Sequence, residues 1–412
     1  MIKILHAADL HIDSPMRGLR RYEGAPVERL RGATRRAFSA LIDVALRERV
    51  ALVLLAGDLF DGAWKDYNSG LFFARELLRL REVGAHAVIL RGNHDAQSAL
   101  VPALSHPAHV TELSSRRAET KVLDNIGVAV HGRSFWARAV TEDLAASYPA
   151  KVAGAFNIGL LHTSADGRPG HEPYAPTTLD VLRSRGYDYW ALGHVHSREV
   201  LCQDPWVVFP GNLQGRSVRE TGPKGATMVL VDQGRITQVE PLALDVVRWQ
   251  HEELSLASAT SLDDVLGIAS QRMDAAMALA EGRLCALRMT LRAADAAAML
   301  VQRDSARLEA ELRRLAQDRG GDDLFLEKVV VEHTRHAAPD ITGSSAWLPS
   351  SLYAADDTEA LAGELTELLR KLPQEVTAGP DGFDPSAPDT LKRLLQEAEA
   401  LARARLSRDG AA

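Results

Sequence analysis

Cysteine is nearly absent: the 412 residues hold two, Cys202 and Cys285. Neither stands at a metal-type spacing, so neither a disulfide framework nor a thiolate metal site organises this chain, and a reducing cytoplasm fits the usage. No unbroken apolar run is long enough to span a bilayer, so no membrane role is expected. The opening MIKILHAADLH meets an aspartate and two histidines too early for a signal peptide. No GxxxxGK(S/T) segment occurs, so ATP-driven work would have to come from a partner. Positive charge is in deficit, at net -7, which excludes a protein coated uniformly in basic residues. Internal repeats and low-complexity tracts are missing as well.

What is present is unevenly spread. Residues 1–245 carry 29 Lys+Arg against 27 Asp+Glu, whereas the remainder carries 19 against 28; 11 of the 14 histidines lie in the first part. That first part need not repel a polyanion. The length suggests two or three domains. Apolar, β-rich runs (IKILHAAD, ALVLLAGD, HAVILRGN, GVAVHG, NIGLLHT, YWALGH, WVVFPGN, ATMVLVD) alternate with helical patterns at 27–49, 67–83 and 176–186. This order predicts an α/β domain with sheets packed between helices over 1–245. Residues 246–340 read as a smaller α/β unit, with strands RLCALRMTL and LFLEKVVVEH and helices near 261–281 and 295–317. Residues 341–412 continue a Pro/Gly/Ser-rich linker and close with helices at about 356–372 and 386–407, the last bearing a leucine stripe.

Several strands of the first domain end alike, in an apolar run followed by Asp, Asn or His. AADLH gives Asp9 and His11, LAGDLFD gives Asp58 and Asp61, and LRGNHD gives Asn93, His94 and Asp95. GLLHTS gives His162, and LGHVH gives His194 and His196. In an extended chain side chains two apart point the same way, so His194 and His196 should converge on one spot, as should Asp9 and His11. Gly57, Gly92 and Gly193 precede the polar residues and would let the backbone turn sharply. Nitrogen and carboxylate donors without thiolate favour Mn, Fe or Zn, and seven or eight such groups exceed one ion's need. Two ions sharing a bridging carboxylate would use them all, in the manner of in-line displacement at phosphorus. The bland alternative makes each Asp a cap and each His a satisfied core group.

The order DxH, GDxxD, GNH, H, GHxH resembles the calcineurin-like metallophosphoesterases over roughly residues 1–245. HAADLHIDSP, GDLFD, RGNHD and GHVH are most similar to the SbcD type of DNA repair nuclease, and to its bacterial YhaO-like branch. DGRPGHEPYAP and PGNLQGRSVRETGPKG add to that likeness. The resemblance implies a metallophosphoesterase sandwich of two packed β-sheets flanked by helices, a smaller α/β cap domain that selects the DNA substrate, and C-terminal helices. It implies one divalent ion, Mn²⁺ first with Fe or Zn as alternatives, held by Asp9, His11, Asp58 and His196. A second would be held by Asp58, Asn93, His162 and His194. His94 would act on the scissile phosphate, and Asp61 would orient it; some archaeal relatives carry histidine in the place of Asp61, which leaves the balance of exo- and endonuclease activity open. DNA, a coiled-coil ATPase of the SbcC type docked on the C-terminal helices, and a second copy of the chain are the implied partners.

The weaker signals read as follows. His6 has the wrong offset from Asp9 and is structural, as is His131. His171 and Tyr174 lie in a polar loop suited to substrate contact or simply to solvation. Arg216, Arg219 and Lys224 could position a phosphate backbone, with Glu220 partly offsetting them. Two rival functions stay open: a phosphodiesterase for cyclic nucleotides or other small phosphodiesters, and a non-catalytic DNA-end scaffold.

Overall fold

The computed structural model describes residues 1–14, 26–61, 67–97, 106–165, 174–293, 301, 305–333 and 390. Its strands are β1 (Ile2–Ala7), β2 (Leu52–Ala56), β3 (His86–Leu90), β4 (Val110–Glu112), β5 (Glu119–Leu123), β6 (Val128–Gly132), β7 (Phe156–His162), β8 (Tyr189–Gly193), β9 (Glu199–Gln203), β10 (Trp206–Phe209), β11 (Gly225–Asp232), β12 (Arg235–Ala243), β13 (Val247–Ser255), β14 (Leu284–Ala293) and β15 (Leu324–His333). The helices are α1 (Val27–Arg31), α2 (Ala33–Arg47), α3 (Tyr67–Arg79), α4 (Leu179–Ser184), α5 (Leu262–Ala280) and α6 (Ser305–Gly320). The described residues fall into two compact units, one of 1–14, 26–250 and 280–286, the other of 251–279 and residues from 287 onward.

In the first unit two six-stranded sheets form, in the orders β12-β11-β1-β2-β3-β4 and β5-β6-β7-β8-β10-β9. β1 to β4 run parallel, as do β6, β7, β8 and β10. The period-2 alternation of strands sorts their residues into layers. Ile4, Leu52, Leu54 and Val88 meet Val130, Ile158, Leu160 and Val208 in the core between the sheets. Leu5, Val53, Leu55 and Ile89 face the other way onto Phe38, Leu41 and Phe73 of α2 and α3. Leu161, Trp190 and Leu192 face Leu144, Tyr148 and Leu182 on the far side. Burial on both faces explains why these strands read as continuous apolar runs. The α/β sandwich expected from the sequence is the observed fold.

Departures from the expected elements have local causes. α4 begins at Leu179 because Thr178 caps it, its side chain accepting from the Val181 amide; the expected start at 176 is too early. β4, β5, β9, β12 and β13 were not anticipated. All five lie at sheet edges and β12 is largely exposed, so none carries an unbroken apolar run.

The last three strands form their own sheet, in the order β13-β14-β15. In the second unit, α5 buries Val265, Ala269, Met273 and Ala276, and α6 buries Leu308, Leu312 and Ala316, each a stripe at helical spacing. The linker and the two closing helices expected at 341–412 lie outside the described residues, Thr390 apart.

Candidate metal centre

The parallel strands of both sheets release their chain at one end, and the chemistry-bearing loops start there. After β1 and β2 the two loops zip together: Asp9, His11 and Ile12 donate their amides to the carbonyls of Gly57, Asp58 and Leu59 at 3.0, 3.0 and 2.9 Å. The buried carboxylate of Asp95 accepts from the amides of Leu59, Phe60 and Gly92 at 3.1, 3.0 and 3.0 Å, which joins the loop after β3 to the loop after β2. The His94 amide donates to Asp58 Oδ1 at 3.0 Å, and the His194 amide donates to the Asp9 carboxylate. Asp9, His11, Asp58 and His194 all sit in the left-handed region, with φ of 51, 43, 51 and 101°. Such conformations cost energy outside glycine and persist only where surrounding contacts over-determine them. Glycine is required where the loops approach most closely, because a Cβ on Gly57 would strike the His162 ring, one on Gly92 the Asp58 carboxylate and one on Gly193 the Ala56 carbonyl.

Among the described residues, three groups of side chains result that could each hold a metal ion; two share no residue, Asp9 with His11 and His196, and Asp58 with His162 and His194, and the third, His11 with Asp61 and His94, reuses His11. The extended-chain expectation that His194 and His196 meet at one spot is therefore corrected. β8 ends at Gly193, and the positive φ of His194 turns the chain, so the two imidazoles enter different groups. Asp9 and His11 likewise lie beyond β1, and it is their turned backbone rather than strand alternation that brings them together. Asp58 Oδ2 lies between the groups, 3.9 Å from His11 Nε2 and 3.5 Å from His162 Nε2. Asn93 Oδ1 is 2.9 Å from His162 Nε2.

The donor chemistry fits divalent ions. His11 Nδ1 is 2.5 Å from Asp61 Oδ1, and His196 Nδ1 is 2.7 Å from Glu220 Oε1. These partners assign the proton of each neutral ring to Nδ1 and turn the Nε2 lone pairs toward each other, 3.3 Å apart. Two acceptors that close repel unless a cation lies among them. Imidazoles backed by carboxylates are also the usual second contacts of metal-bound histidine. His162 donates Nδ1–H to the Ala56 carbonyl at 2.9 Å and presents Nε2 to Asn93 and Asp58.

Electrostatics are strained accordingly. Burial raises the Asp9 carboxyl to about 6 against the pull of His196 and His162. Burial lowers His11 to about 4, and the Arg216 charge adds to it, in spite of Asp61. Burial opposes ionisation of Asp58, yet His162 and His11 hold it well below the carboxylate range. Burial also opposes protonation of His162, but Asp58 prevails and raises it to about 9. Burial and then Asp58 push Asp95 up to about 7. Such clustering of displaced values is a mark of functional sites.

Asp61 was expected to orient His94. Its short hydrogen bond goes instead to His11, while His94 Nδ1 and Arg216 Nη1 each lie 3.5 Å from Oδ1, and Ser14 donates to Oδ2. His94 remains 39% exposed at the side chain. Arg216 is pinned by Glu220 at 3.0 Å. Lys224, a candidate for phosphate contact, is 8% exposed and donates its ammonium to the His196 carbonyl at 2.8 Å; burial turns it into a brace for that loop. Arg219 is exposed, and the Tyr174 ring lies 5.7 Å from that of His194. His171 lies outside the described residues. His6 bonds Tyr189 and Leu192, and His131 bonds Thr120 and Asn157, so both are structural as read.

Glu220 is the residue that sequence reasoning missed. It receives His196, Asn212 and Arg216 together, but in sequence it is one acid among arginines and carries no motif signal. Asp95 was visible in GNHD, though not its task of tying two loops through three amides.

Residues 2–198 match the family model of the calcineurin-like phosphoesterases, and residues 249–334 match that of the middle domain of metallophosphoesterase YhaO. The chain is 38% identical over 265 residues to the uncharacterized metallophosphoesterase YhaO of Bacillus subtilis, covering 63% of this chain and 65% of that one. It is 27% identical over 279 residues to the DNA double-strand break repair protein Mre11 of Methanopyrus kandleri, covering 61% and 58%. It is 22% identical over 287 residues to one subunit of the nuclease SbcCD of Escherichia coli K12, covering 60% and 69%. The matched parts span slightly less than two thirds of the length of the first two relatives. Among the described residues no helix is long and apolar enough to cross a membrane.

Proposed function

We propose that the chain is a metal-dependent phosphodiesterase that cuts DNA, as exonuclease and endonuclease, in double-strand break repair. The observation that carries this reading is Asp58, one buried carboxylate set between two groups of metal-competent side chains. One ion would be held by Asp9, His11, Asp58 and His196, the other by Asp58, Asn93, His162 and His194. Bound there, two divalent ions supply Lewis acidity to a phosphodiester and lower the pKa of water. Mn²⁺ is the proposed metal, given oxygen and imidazole donors without sulfur. His94 is open to solvent beside these groups, so its imidazole is placed to stabilise the phosphate or protonate the leaving oxygen. The Mre11 and SbcCD relatives support DNA as substrate, and the name of the latter supports an SbcC-type ATPase partner. A homodimer and a cytoplasmic location complete the proposal.

The test uses end-labelled single-stranded and duplex DNA and bis-p-nitrophenyl phosphate, each with Mn²⁺ or with EDTA. Manganese-dependent loss of DNA that EDTA abolishes is the expected result. Cleavage of the small ester alone, with the ATPase partner added, would place the small-phosphodiester rival first.

The backing of the two groups differs, and this has a measurable consequence. His11 and His196 rest on carboxylates joined through Arg216, whereas His162 rests on a neutral carbonyl. Glu220→Ala is expected to weaken one of two bound Mn²⁺ ions by roughly 10- to 100-fold, leaving the other in place. Calorimetric titration reads this as one displaced binding step; two unchanged steps would show that Glu220 plays no part.

A further inference from the structure

The loop after β6 sends two neighbouring aromatic side chains in opposite directions. Phe135 is fully buried, its ring edge-on to His162 at 5.4 Å and its amide held by the Arg91 carbonyl at 3.0 Å. Trp136 is turned out and is 44% exposed, whereas Trp190 and Trp249 are buried. The Arg133 guanidinium lies 4.1 Å over the Trp136 ring. The same guanidinium donates to the carbonyls of Ser115 and Arg116 at 3.3 and 3.2 Å, and so ties the 114–117 turn to this ring. Arg116, Arg117 and Arg138 are exposed on these two segments, and no carboxylate of the described residues pairs with them. Glu142, 3.4 Å from Arg133, offsets part of the charge.

We propose that Trp136 and these arginines form a stacking platform for an unpaired nucleotide of a nucleic-acid strand, beside the metal centre; this rests on the nucleic-acid reading of that centre. Bases inside a duplex have both faces covered by their neighbours, whereas every base of an unpaired strand can turn a face to an indole. A ring already held by a guanidinium gives up little freedom on stacking. The arginines supply the phosphate contacts that hold a strand in register without reading sequence. Phe135 places the platform one residue from a side chain that touches His162. A frayed or single-stranded end is thus the geometry favoured at the site.

The experiment measures binding of the full-length protein to a fluorescent single-stranded oligonucleotide and to the same sequence as a blunt duplex, with EDTA present so that neither is cut. Trp136→Ala should weaken single-strand binding by about tenfold, within the range of one base–aromatic stack, and change duplex binding less than about twofold. Trp136→Phe, which keeps a ring, should restore most of the loss, and thermal melting of both variants checks that they fold. Single-strand binding unchanged in Trp136→Ala, or lost equally for both DNAs, overturns the platform while leaving a DNA-binding protein. A wild-type chain that binds neither oligonucleotide overturns the nucleic-acid reading, and the platform with it.

Discussion

Replacing His94 by alanine is expected to lower hydrolysis of DNA and of bis-p-nitrophenyl phosphate by roughly 10²- to 10⁴-fold, the usual scale for a lost proton donor. Both ions should stay bound. The reason lies in how the residue is attached. Its amide, which alanine keeps, donates to Asp58 and helps to fix that carboxylate. Its imidazole does something separate: it stays open to solvent, and its approach to Asp61 is a loose 3.5 Å. The backbone of His94 thus supports the carboxylate, and under the proposed function the side chain is left for contact with substrate. One arrangement competes with this assignment, because His11, Asp61 and His94 also converge closely enough to hold an ion. Metal content after desalting decides between them. A variant that loses an ion along with its activity makes His94 a ligand.

Asp58→Asn should have the larger effect on binding, because in the proposed arrangement Asp58 is the carboxylate both ions would share. Metal content is expected to fall from two ions to fewer than one, and hydrolysis to become undetectable. The same substitution has a pH signature in protein stripped of metal. The folded-state pKa of His162, raised to about 9, lies above its unfolded value. Its contribution to stability is thus fully present below about 6.5 and is lost as pH rises through 9. Asp58 is depressed in the fold, so its contribution is present above its unfolded value and is lost only as pH falls through the lower folded one. The two windows overlap from about pH 4 to 6.5. Chelator-treated Asp58→Asn should therefore lose most melting temperature relative to wild type near pH 5 to 6, and much less near pH 10. A penalty independent of pH would mean that the Asp58–His162 pair does not carry the charge described.

Much of this site was legible before folding was considered. Asp9, His11, Asp58, Asn93, His162, His194 and His196 each follow an apolar strand, and strand ends on one edge of parallel sheets are where an α/β domain places ligands. That inference needs only hydrophobic runs and their last polar residue. The same reasoning failed for pairs within one loop. Alternation along a strand stops where the strand stops, and Gly193 and Ala7 are those points. Beyond them the left-handed turns at His194, Asp9 and His11 decide direction, and no single-residue preference announces them in Asp or His. Asp61 shows a related limit. The resemblance implied that it orients His94, which does lie 3.5 Å away, but no sequence feature showed that its short hydrogen bond goes to His11.

By itself, then, the sequence determined the α/β sandwich and the edge at which its chemistry lies. It also determined the donor types, because burial on both faces of a sheet demands continuous apolar runs, and the polar residues that end those runs are carboxylate, amide and imidazole without thiolate. Which histidine joins which group followed from the resemblance and not from strand alternation; tertiary structure alone decided that Glu220 backs His196, that Lys224 turns inward and that Trp136 turns outward. Those outcomes depend on atoms far apart in the chain, Asp61 with His11 and Glu220 with His196 among them. Contacts of that kind join loops that follow different strands, and nothing in a local stretch of residues encodes their distances.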